Sequence, residues 1–553
     1  MMERIRTTAL VALATVVAAA LVAAPLAWSQ SGSQSGQPAK PEAAKAAPAE
    51  IPADSVTEGS VTVGGQAISY RAVAGTLTVG ATDAQDAMLG LDGKYLPDAT
   101  VDTSAKPAEQ PATARIFYVA YFAKNPAGHR PITFLYNGGP GSSTMYLHMG
   151  AFGPERVVLP QDSSHQEGAP YDLAPNQYSL LDVSDLVFID APGTGFSRIY
   201  GKDADKAFYG IDQDAHAFDR FIRRFLTRYN RWNSPKYLFG ESYGTTRTAV
   251  LTNLLEHHLD LNGSIFLSQI LNFDDSADDP DGNPGTDNGY ILALPSMAAT
   301  AWFHHRVPNQ PAALEPFLKQ VEQFAVGTYA SALLQGADVP EADRKSIAAK
   351  LESFTGVPAA YWLKANLRVS GGQFSKELQS EMGITTGRLD TRYKGPDLDP
   401  LSEEAEYDPF GAALDSPYDV AINTYVRNTL KYGDNQTYKP SAYGPDFHWD
   451  LRHTPPGKQG WGAGANVMPD LAMAMKTNPK LKILLMGGYY DLGCTYFGAT
   501  YEDKHLQIPA SLQKNIQYHF FQTGHMVYVT TEALKELHQQ TADFIRSTEN
   551  GGQ

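Results

Sequence analysis

A serine, an aspartate and a histidine stand in three separate segments, each placed where it could take part in acyl transfer. Ser242 is the centre of G-E-S-Y-G at residues 240–244, a pattern that fits the G-x-S-x-G turn between a strand and a helix. A serine hydroxyl attacks poorly at neutral pH unless a base removes its proton and an acid orients that base. Asp491 and His525 each follow an apolar run later in the chain. We predict Ser242 as nucleophile, His525 as general base and then acid, and Asp491 as the group that orients His525.

A glycine-rich turn offers backbone donors for a negatively charged intermediate. N-G-G-P-G at residues 137–141 directly follows an apolar run at residues 131–136. Glycines let a backbone N–H approach and face a developing oxyanion. We predict that the N–H groups of Gly139 and Tyr243 form an oxyanion hole, supported by the N-terminus of the helix that follows Ser242. The glycines alone do not distinguish this role from that of a plain turn.

Alternating strand and helix patterns must position these residues. Apolar runs predict strands at residues 114–122, 131–136, 185–190, 237–239, 264–271, 482–486 and 516–521, after a hairpin at residues 60–70. Helical spacing of apolar residues predicts helices at residues 212–232, 245–257 and 531–546. Such alternation is typical of an α/β fold with a mostly parallel sheet and helices on both faces. Asp491 and His525 then lie in loops at the carboxyl ends of strands, where ligands bind in open sheets.

The chain divides into five predicted segments. They are a signal peptide at 1–29, a disordered linker at 30–54, the first part of the α/β core at 55–273, a mainly helical lid insertion at 274–475 and the second part of the core at 476–548. Two arginines before an apolar, alanine-rich run are typical of a secretory leader, so we expect a periplasmic or secreted protein. An uncleaved anchor is the alternative, because the run is near the length that spans a bilayer.

Charge and cysteine content exclude several classes of function. With 44 basic and 60 acidic residues, the formal net charge is −16, which disfavours binding to nucleic acid or to anionic lipid. The single cysteine, Cys494, cannot form an intrachain disulfide or a thiolate metal site of several cysteines. We expect no metal, no other cofactor and no stable membrane association once the leader is removed. The sequence leaves the oligomeric state open.

Five segments in fixed order resemble a known family. They are N-G-G-P-G-S-S at 137–143, D-A-P-G-T-G-F-S at 190–197, G-E-S-Y at 240–243, D-L-G-C at 491–494 and G-H-M at 524–526. Together they resemble the serine carboxypeptidases, and the leader is similar to that of a bacterial-type member. The resemblance implies an alpha/beta-hydrolase fold. It also implies a serine-type carboxypeptidase that acts on peptides and releases their C-terminal residues through an acyl-enzyme.

The resemblance also implies which residues meet the substrate. In the family, the terminal carboxylate of the peptide is held by the asparagine of the glycine-rich turn and by two glutamates. Asn137 and Glu241 match the asparagine and one glutamate, but Ala151 stands where the other glutamate would precede F-G-P. The resemblance implies further substrate contacts by Gly138, Cys494 and Met526. It places the Cys494 thiol beside the histidine, whereas a lone cysteine can also be simply a small buried apolar residue.

Ala151 keeps other functions open. Without the second glutamate, the same acyl-transfer machinery would also suit an esterase, an aminopeptidase or an acyltransferase. A non-catalytic binding protein that retained the fold is a third alternative. The serine, acid, histidine and glycine-rich turn all argue against this last alternative, because a binding protein needs none of them.

Overall fold

The computed structural model describes residues 53–549, apart from 103, 125, 127–128 and 459–463. The predicted signal peptide and most of the predicted linker lie outside the described residues, so both stay predictions. Among the helices of the described part, none combines the length and the apolar character needed to cross a membrane.

One large mixed sheet forms the centre of the described chain. In chain order the strands are β1 (Ser55–Val63), β2 (Gln66–Gly80), β3 (Thr113–Ala123), β4 (Ile132–Tyr136), β5 (Glu155–Val157), β6 (Leu173–Pro175), β7 (Asp185–Ile189), β8 (Arg198–Tyr200), β9 (Lys236–Glu241), β10 (Gly263–Leu267), β11 (Ile384–Thr386), β12 (Lys394–Pro396), β13 (Lys482–Gly488) and β14 (Ile516–Phe521). The sheet order is β1-β2-β3-β7-β4-β9-β10-β13-β14, with β8 paired to β3. From β7 to β14 all neighbouring strands are parallel.

The helices lie between the strands and in the long segment before β13. They are α1 (Asp83–Asp86), α2 (Ala204–Phe208), α3 (Ile211–Arg228), α4 (Tyr243–Leu255), α5 (Asn288–Phe303), α6 (Leu314–Phe324), α7 (Ala330–Gln335), α8 (Glu341–Thr355), α9 (Ala359–Lys364), α10 (Gly371–Glu377), α11 (Pro409–Asn428), α12 (Met468–Thr477), α13 (Tyr496–Lys504), α14 (Ala510–Gln513) and α15 (Thr531–Glu549). A π-helical turn at Leu147–Phe152 follows the glycine-rich turn.

Successive side chains of the parallel strands enter two different hydrophobic cores. Leu135 and Phe239 pack with residues of α11 and α15, whereas Phe134 and Leu238 pack with residues of α3, α4 and α12 on the other face. Because successive side chains of a strand point to opposite faces, a strand covered on both sides must be apolar throughout. The predicted alpha/beta-hydrolase fold, a mostly parallel sheet with helices on both faces, is confirmed.

Two predicted elements extend four residues beyond their observed ends. The strand predicted to reach residue 271 stops at Leu267, because Ser268 has a positive φ of 54°, which an extended strand does not accommodate. The helix predicted to reach residue 232 stops at Arg228, two residues before Asn230 adopts a φ of 52°. Both overruns arose because apolar residues continue past the break in the backbone.

The segment before β13 is mainly helical and contributes to two cores. Helices α5 to α10 share a hydrophobic cluster that also receives Tyr490, Leu492 and Tyr496. Helix α11 instead packs into the core beneath the sheet. Within the described part of this segment, regular strand pairing is limited to the short antiparallel ribbon β11–β12. The boundaries predicted for the lid insertion, 274 and 475, stay predictions.

A buried histidine joins the end of this segment to two core helices. His453 lies between Asp212 of α3 and Asp470 of α12, with Nδ1 and Nε2 at 2.6 and 2.7 Å from their carboxylate oxygens. Burial alone would lower the pKa of His453, but the two carboxylates raise it to about 9. The ring is therefore held as an imidazolium between two opposite charges.

Candidate active site

Ser242 occupies a sharp turn between β9 and α4. Its backbone angles are φ 63° and ψ −132°, a conformation that costs free energy for any residue with a Cβ and that is found mainly at functional sites. The flanking glycines make the turn possible. A Cβ at Gly240 would lie 2.2 Å from the Gly244 carbonyl oxygen, and one at Gly244 would lie 2.9 Å from the Tyr136 carbonyl oxygen. The strand, turn and helix that the G-E-S-Y-G pattern predicts are all present.

The structure brings Asp491 and His525 together. His525 Nδ1 lies 2.7 Å from Asp491 Oδ2, and both residues are almost fully buried. The other oxygen, Asp491 Oδ1, accepts the N–H groups of Gly493 and Cys494 at 2.8 and 2.9 Å. Burial has the largest single effect and lowers the pKa of His525, but the charge and hydrogen bond of Asp491, together with Cys494, outweigh it and raise that pKa well above its ordinary value. With Nδ1 engaged by Asp491, Nε2 is the nitrogen that can exchange a proton with a substrate or a nucleophile.

The parallel sheet explains why three distant segments meet. Ser242 follows β9, Asp491 follows β13 and His525 follows β14, and these strands lie within four consecutive positions of the sheet. Ser268, at the end of the intervening strand β10, donates its hydroxyl to the His525 carbonyl oxygen at 2.7 Å. Within the described residues, no hydrogen bond joins the Ser242 hydroxyl to His525.

Cys494 lies beside the histidine. The ligand atoms of Asp491, Cys494 and His525 all lie within 4.8 Å of one another, and burial raises the pKa of the thiol. Both oxygens of Asp491 already accept hydrogen bonds, from Gly493 and Cys494 on Oδ1 and from His525 Nδ1 on Oδ2. Met526, predicted as a substrate contact, is buried in the core beneath the sheet.

A short segment of the helical region fastens the two loops that carry Asp491 and His525. We call residues 388–392 the strap. Three backbone hydrogen bonds join it to the loops: Leu492 N–H to Arg388 O at 3.0 Å, His525 N–H to Leu389 O at 2.7 Å, and Thr391 N–H to Tyr490 O at 2.9 Å. Sequence reasoning missed the strap, because backbone hydrogen bonds leave no side-chain pattern in the sequence.

Asp390 strengthens this attachment with its side chain. The carboxylate is fully buried and paired with Arg392, whose Nη2 lies 2.6 Å from Asp390 Oδ2. The same oxygen accepts the N–H of Gly524, the residue before His525, at 3.2 Å. A Cβ at Gly524 would lie only 2.4 Å from the Asp390 Cβ, so the strap packs directly against the histidine loop.

The glycine-rich turn lies against the start of α4. A Cβ at Gly138 would lie 2.4 Å from the Tyr243 nitrogen, and Gly139 has a φ of 107°. Neither predicted oxyanion donor, Gly139 N–H or Tyr243 N–H, donates to an acceptor in the part of the chain that the structure describes. Arg247, fully buried in α4, donates to the Asn137 carbonyl oxygen at 2.8 Å and supports the turn from beneath.

Glu241 is a buried carboxyl directly before the serine. The Tyr528 hydroxyl donates to Glu241 Oε2 at 2.8 Å. Asn137 fixes its own amide by accepting the Leu147 N–H at 3.0 Å on Oδ1 and uses its other end to contact Glu241. Burial raises the pKa of Glu241 to about 7, although the charge of His525 and the hydrogen bonds from Tyr528 and Asn137 act in the opposite direction. Tyr528 was missed by sequence reasoning, because no local pattern marks it.

Comparison with known proteins identifies the first half of the site. The model of the family described as serine carboxypeptidase matches residues 106–271, a stretch that holds the glycine-rich turn, Glu241 and Ser242. This stretch is similar to the serine carboxypeptidase family. The resemblance to that family is thereby confirmed, whereas Asp491 and His525 lie outside the matched stretch.

Two curated serine carboxypeptidase relatives cover short parts of the chain. The pheromone-processing carboxypeptidase KEX1 of Phytophthora infestans is 30% identical over 143 residues, 23% of this chain and 21% of that protein. Serine carboxypeptidase-like 28 of Arabidopsis thaliana is 31% identical over 181 residues, 32% of this chain and 37% of that protein. The chain therefore spans well under half the length of either relative.

A solved serine carboxypeptidase structure aligns more widely but at low identity. The prohormone-processing carboxypeptidase Kex1(delta)p of Saccharomyces cerevisiae covers 86% of this chain and 91% of its own, with 15% identity and a TM-score of 0.45. Proline iminopeptidase of Mycobacterium smegmatis covers 80% of this chain and 97% of its own, with 10% identity and a TM-score of 0.34.

Proposed function

We propose that the chain is a serine-type carboxypeptidase that releases C-terminal residues from peptides through an acyl-enzyme. The observation that carries the proposal is the 2.7 Å hydrogen bond between His525 Nδ1 and Asp491 Oδ2, in loops that end neighbouring strands beside the strained turn of Ser242. The serine carboxypeptidase stretch at residues 106–271 supports the choice of chemistry.

In the proposed reaction, His525 transfers the proton. Its Nε2 takes the proton of the Ser242 hydroxyl as Oγ attacks the scissile carbonyl carbon, and Asp491 stabilises the imidazolium that forms. The same nitrogen then protonates the departing amine, and the C–N bond breaks to leave the acyl-enzyme. A water molecule, activated by His525 in turn, hydrolyses the ester and regenerates Ser242.

The proposed oxyanion hole consists of the N–H groups of Gly139 and Tyr243. Both lack acceptors within the described residues, so they can donate to the oxyanion without losing an existing bond. Tyr243 also begins α4, and the positive end of the helix dipole favours the negative charge. Loss of one such donor typically costs about 3 kcal/mol of transition-state stabilisation.

We further propose that Asn137, Gly138, Glu241, Cys494 and Met526 contact the peptide, and that residues 274–475 form a lid over it. The acidic net charge of −16 supports a peptide as partner in preference to nucleic acid or an anionic membrane. The predicted leader at residues 1–29 supports a bacterial-type enzyme in the periplasm or outside the cell.

The test combines a serine probe with paired peptides. A fluorophosphonate should label Ser242 in the wild type, as read by mass spectrometry, and should not label Ser242→Ala. Peptides with a free C-terminal carboxylate should lose one residue, whereas the same peptides with an amidated C-terminus should stay intact. Labelling at another serine would refute the nucleophile, and cleavage of amidated peptides would refute the carboxypeptidase.

A second function rests on Ala151. This residue is fully buried and carries no carboxyl group where the family has a second glutamate. An esterase, an aminopeptidase or an acyltransferase with the same triad would need no site for a terminal carboxylate. Efficient hydrolysis of simple esters, without cleavage of free-acid peptides, would favour this alternative.

A further inference from the structure

Two tyrosine hydroxyls lie beside Glu241 with no role in the proton transfers above. The Tyr528 hydroxyl contacts both carboxyl oxygens of Glu241, at 2.8 and 3.1 Å. Tyr418, from α11, is fully buried, and its hydroxyl has no hydrogen-bond partner among the described residues. A buried polar group without a partner is costly and therefore uncommon, so the Tyr418 hydroxyl indicates a place where a ligand can accept a hydrogen bond.

Both tyrosines converge on the position where a second acid is absent. A Cβ at Gly150 would lie 2.4 Å from the Tyr418 hydroxyl oxygen and 2.8 Å from the Tyr528 ring. Gly150 precedes Ala151 in the π-helical turn, and such turns often mark functional sites. The Tyr418 hydroxyl and the Tyr528 ring therefore lie against Gly150, the neighbour of the residue that cannot supply a carboxyl group.

The chemistry of this cluster suits a small anion. Tyrosine hydroxyls and the Asn137 amide are neutral donors, and a protonated Glu241 can donate as well. A carboxylate has two oxygens that accept several hydrogen bonds at once, and hydrogen bonds to a charged group are the stronger kind. In a peptide substrate, the scissile bond and the terminal carboxylate are separated by only a few bonds. A carboxylate site beside Glu241 would therefore suit attack by Ser242, because Glu241 directly precedes Ser242 in the chain.

We propose that Tyr528 and Tyr418 are specificity-determining residues that bind the free α-carboxylate of the peptide, in place of the acid missing at Ala151. This inference rests on the proposed carboxypeptidase function and extends it. It predicts that recognition depends on tyrosine hydroxyls, which stay protonated across the neutral range, and on one titrating carboxyl, Glu241.

The titratable groups around Glu241 come from several elements. His525 and Asp491 face it from the loops after β14 and β13, Tyr528 follows His525, and Tyr418 comes from α11. Tyr146, bound to Asp415 of α11, packs against Tyr418. Tyr393 and Arg156 of β5 also act on Tyr418. Among these groups, Glu241 has a pKa of about 7, so it is the one whose charge changes as the pH passes through neutrality.

The experiment compares two substrates that form the same acyl-enzyme. One is an N-blocked dipeptide with a free α-carboxylate, and the other is the methyl ester of the same N-blocked acyl residue, which has no carboxylate on its leaving group. In Tyr528→Phe and in Tyr418→Phe, the ratio of kcat/KM for the dipeptide to kcat/KM for the ester should fall about tenfold, as for the loss of one hydrogen bond to a charged group.

Tyr432→Phe is the matched control. Tyr432 is another buried tyrosine, packed against Phe117 and Phe196, and its substitution should leave the ratio at the wild-type value. Thermal unfolding would establish that all three variants are folded.

The outcomes separate the two claims. A ratio that falls in both tyrosine variants and not in the control supports the assignment. Equal losses on dipeptide and ester, or no loss, would leave the ratio unchanged and overturn the tyrosine assignment while the carboxypeptidase stands. If the wild type cleaves the amidated dipeptide as fast as the free acid, the carboxypeptidase itself fails, and the assignment fails with it.

Discussion

Two buried carboxyl groups flank His525, and their surroundings differ. Asp491 accepts two backbone N–H groups and the ring nitrogen of His525. Glu241 accepts a tyrosine hydroxyl and faces the Asn137 amide, and burial raises its pKa to about 7. Fixed N–H donors favour the ionised form of a carboxyl, whereas burial favours the neutral form. The comparison teaches that backbone donors hold Asp491 in place to orient His525, whereas burial leaves Glu241 able to donate a proton near neutral pH.

The largest effect is expected from Asp491→Asn. The N–H groups of Gly493 and Cys494 would hold the amide oxygen at the Oδ1 position, so the amide nitrogen would face His525 Nδ1 and donate to it. That contact selects the histidine tautomer with its proton on Nε2, which cannot accept the serine proton. We expect kcat to fall by about 10⁴-fold, measured with a free-acid peptide.

A control for this variant is Asp543→Asn, an exposed residue of α15, which should behave as wild type. A folded Asp491→Asn enzyme that keeps a tenth of its activity would contradict the distinction between the two carboxyls.

A smaller effect is expected from Asp390→Ala in the strap. Loss of the acceptor for Gly524 N–H should let the His525 loop shift, and a misplacement of about 1 Å can cost up to about 100-fold in rate. Asp390 contacts the His525 loop through Gly524 and is fully buried, so we expect it to act by positioning, and kcat should fall while KM changes little. The low-field proton resonance of His525 Nδ1–H should weaken in parallel.

Asp390→Asn distinguishes an effect on the position of the His525 loop from an effect on the stability of the whole fold. The asparagine oxygen can still accept from Gly524, so this variant should lose less kcat than Asp390→Ala. If both variants lose unfolding free energy but keep kcat, the strap supports the fold and does not align the site.

The smallest effect on rate, and the most specific for Glu241, is expected from Glu241→Gln. Above a pH of about 7 the wild-type carboxyl ionises and repels the peptide carboxylate, so the dipeptide-to-ester ratio of kcat/KM should fall as pH rises. The ratio isolates Glu241, because both substrates share His525. Glutamine does not ionise, so the fall should disappear in the variant, with only a several-fold loss at pH 5.

The same substitution has a consequence for stability. The pKa of Glu241 in the folded protein lies above its ordinary value of 4.5. Its contribution to the free energy of unfolding is therefore fully present below about pH 4.5 and is lost as the pH rises through about 7. Glu241→Gln should therefore unfold at a higher temperature than the wild type above pH 7. If the unfolding temperature of the variant still falls between pH 5 and pH 8 as steeply as that of the wild type, a group other than Glu241 titrates.

The sequence predicts the core well for a physical reason. Strands buried on both faces must be apolar throughout, so β4, β7 and β13 appear as apolar runs with nearly correct ends. The edge strand β14 exposes Gln517 and Tyr518 but keeps enough apolar residues to be recognised as a run. Ser242, Asp491 and His525 follow such runs, which is why their placement at strand ends could be predicted. The strand predicted through residue 271 failed where Ser268 reverses its φ, a feature that no apolar pattern encodes.

The contacts that complete the site could not be predicted in this way. Asp390 meets Gly524 across 134 residues, and Tyr528 meets Glu241 across 287. The first pair is set by the packing of the helical segment on the histidine loop, and the second by the turn at Val527–Val529 that follows His525. Neither Asp390 nor Tyr528 stands in a motif. A buried tyrosine or aspartate in an irregular segment has the same local sequence whether it is functional or not.

The strap limits how this enzyme can be re-engineered. Excising the helical segment to obtain a minimal hydrolase would remove the strap. The loops that carry Asp491 and His525 would then lose three backbone hydrogen bonds and the Asp390 carboxylate. A helical segment transplanted from another hydrolase would have to replace the contacts of the strap before it could change which substrates are cleaved. In this molecule, the segment that we propose as the lid also contains the strap that holds the loops of Asp491 and His525.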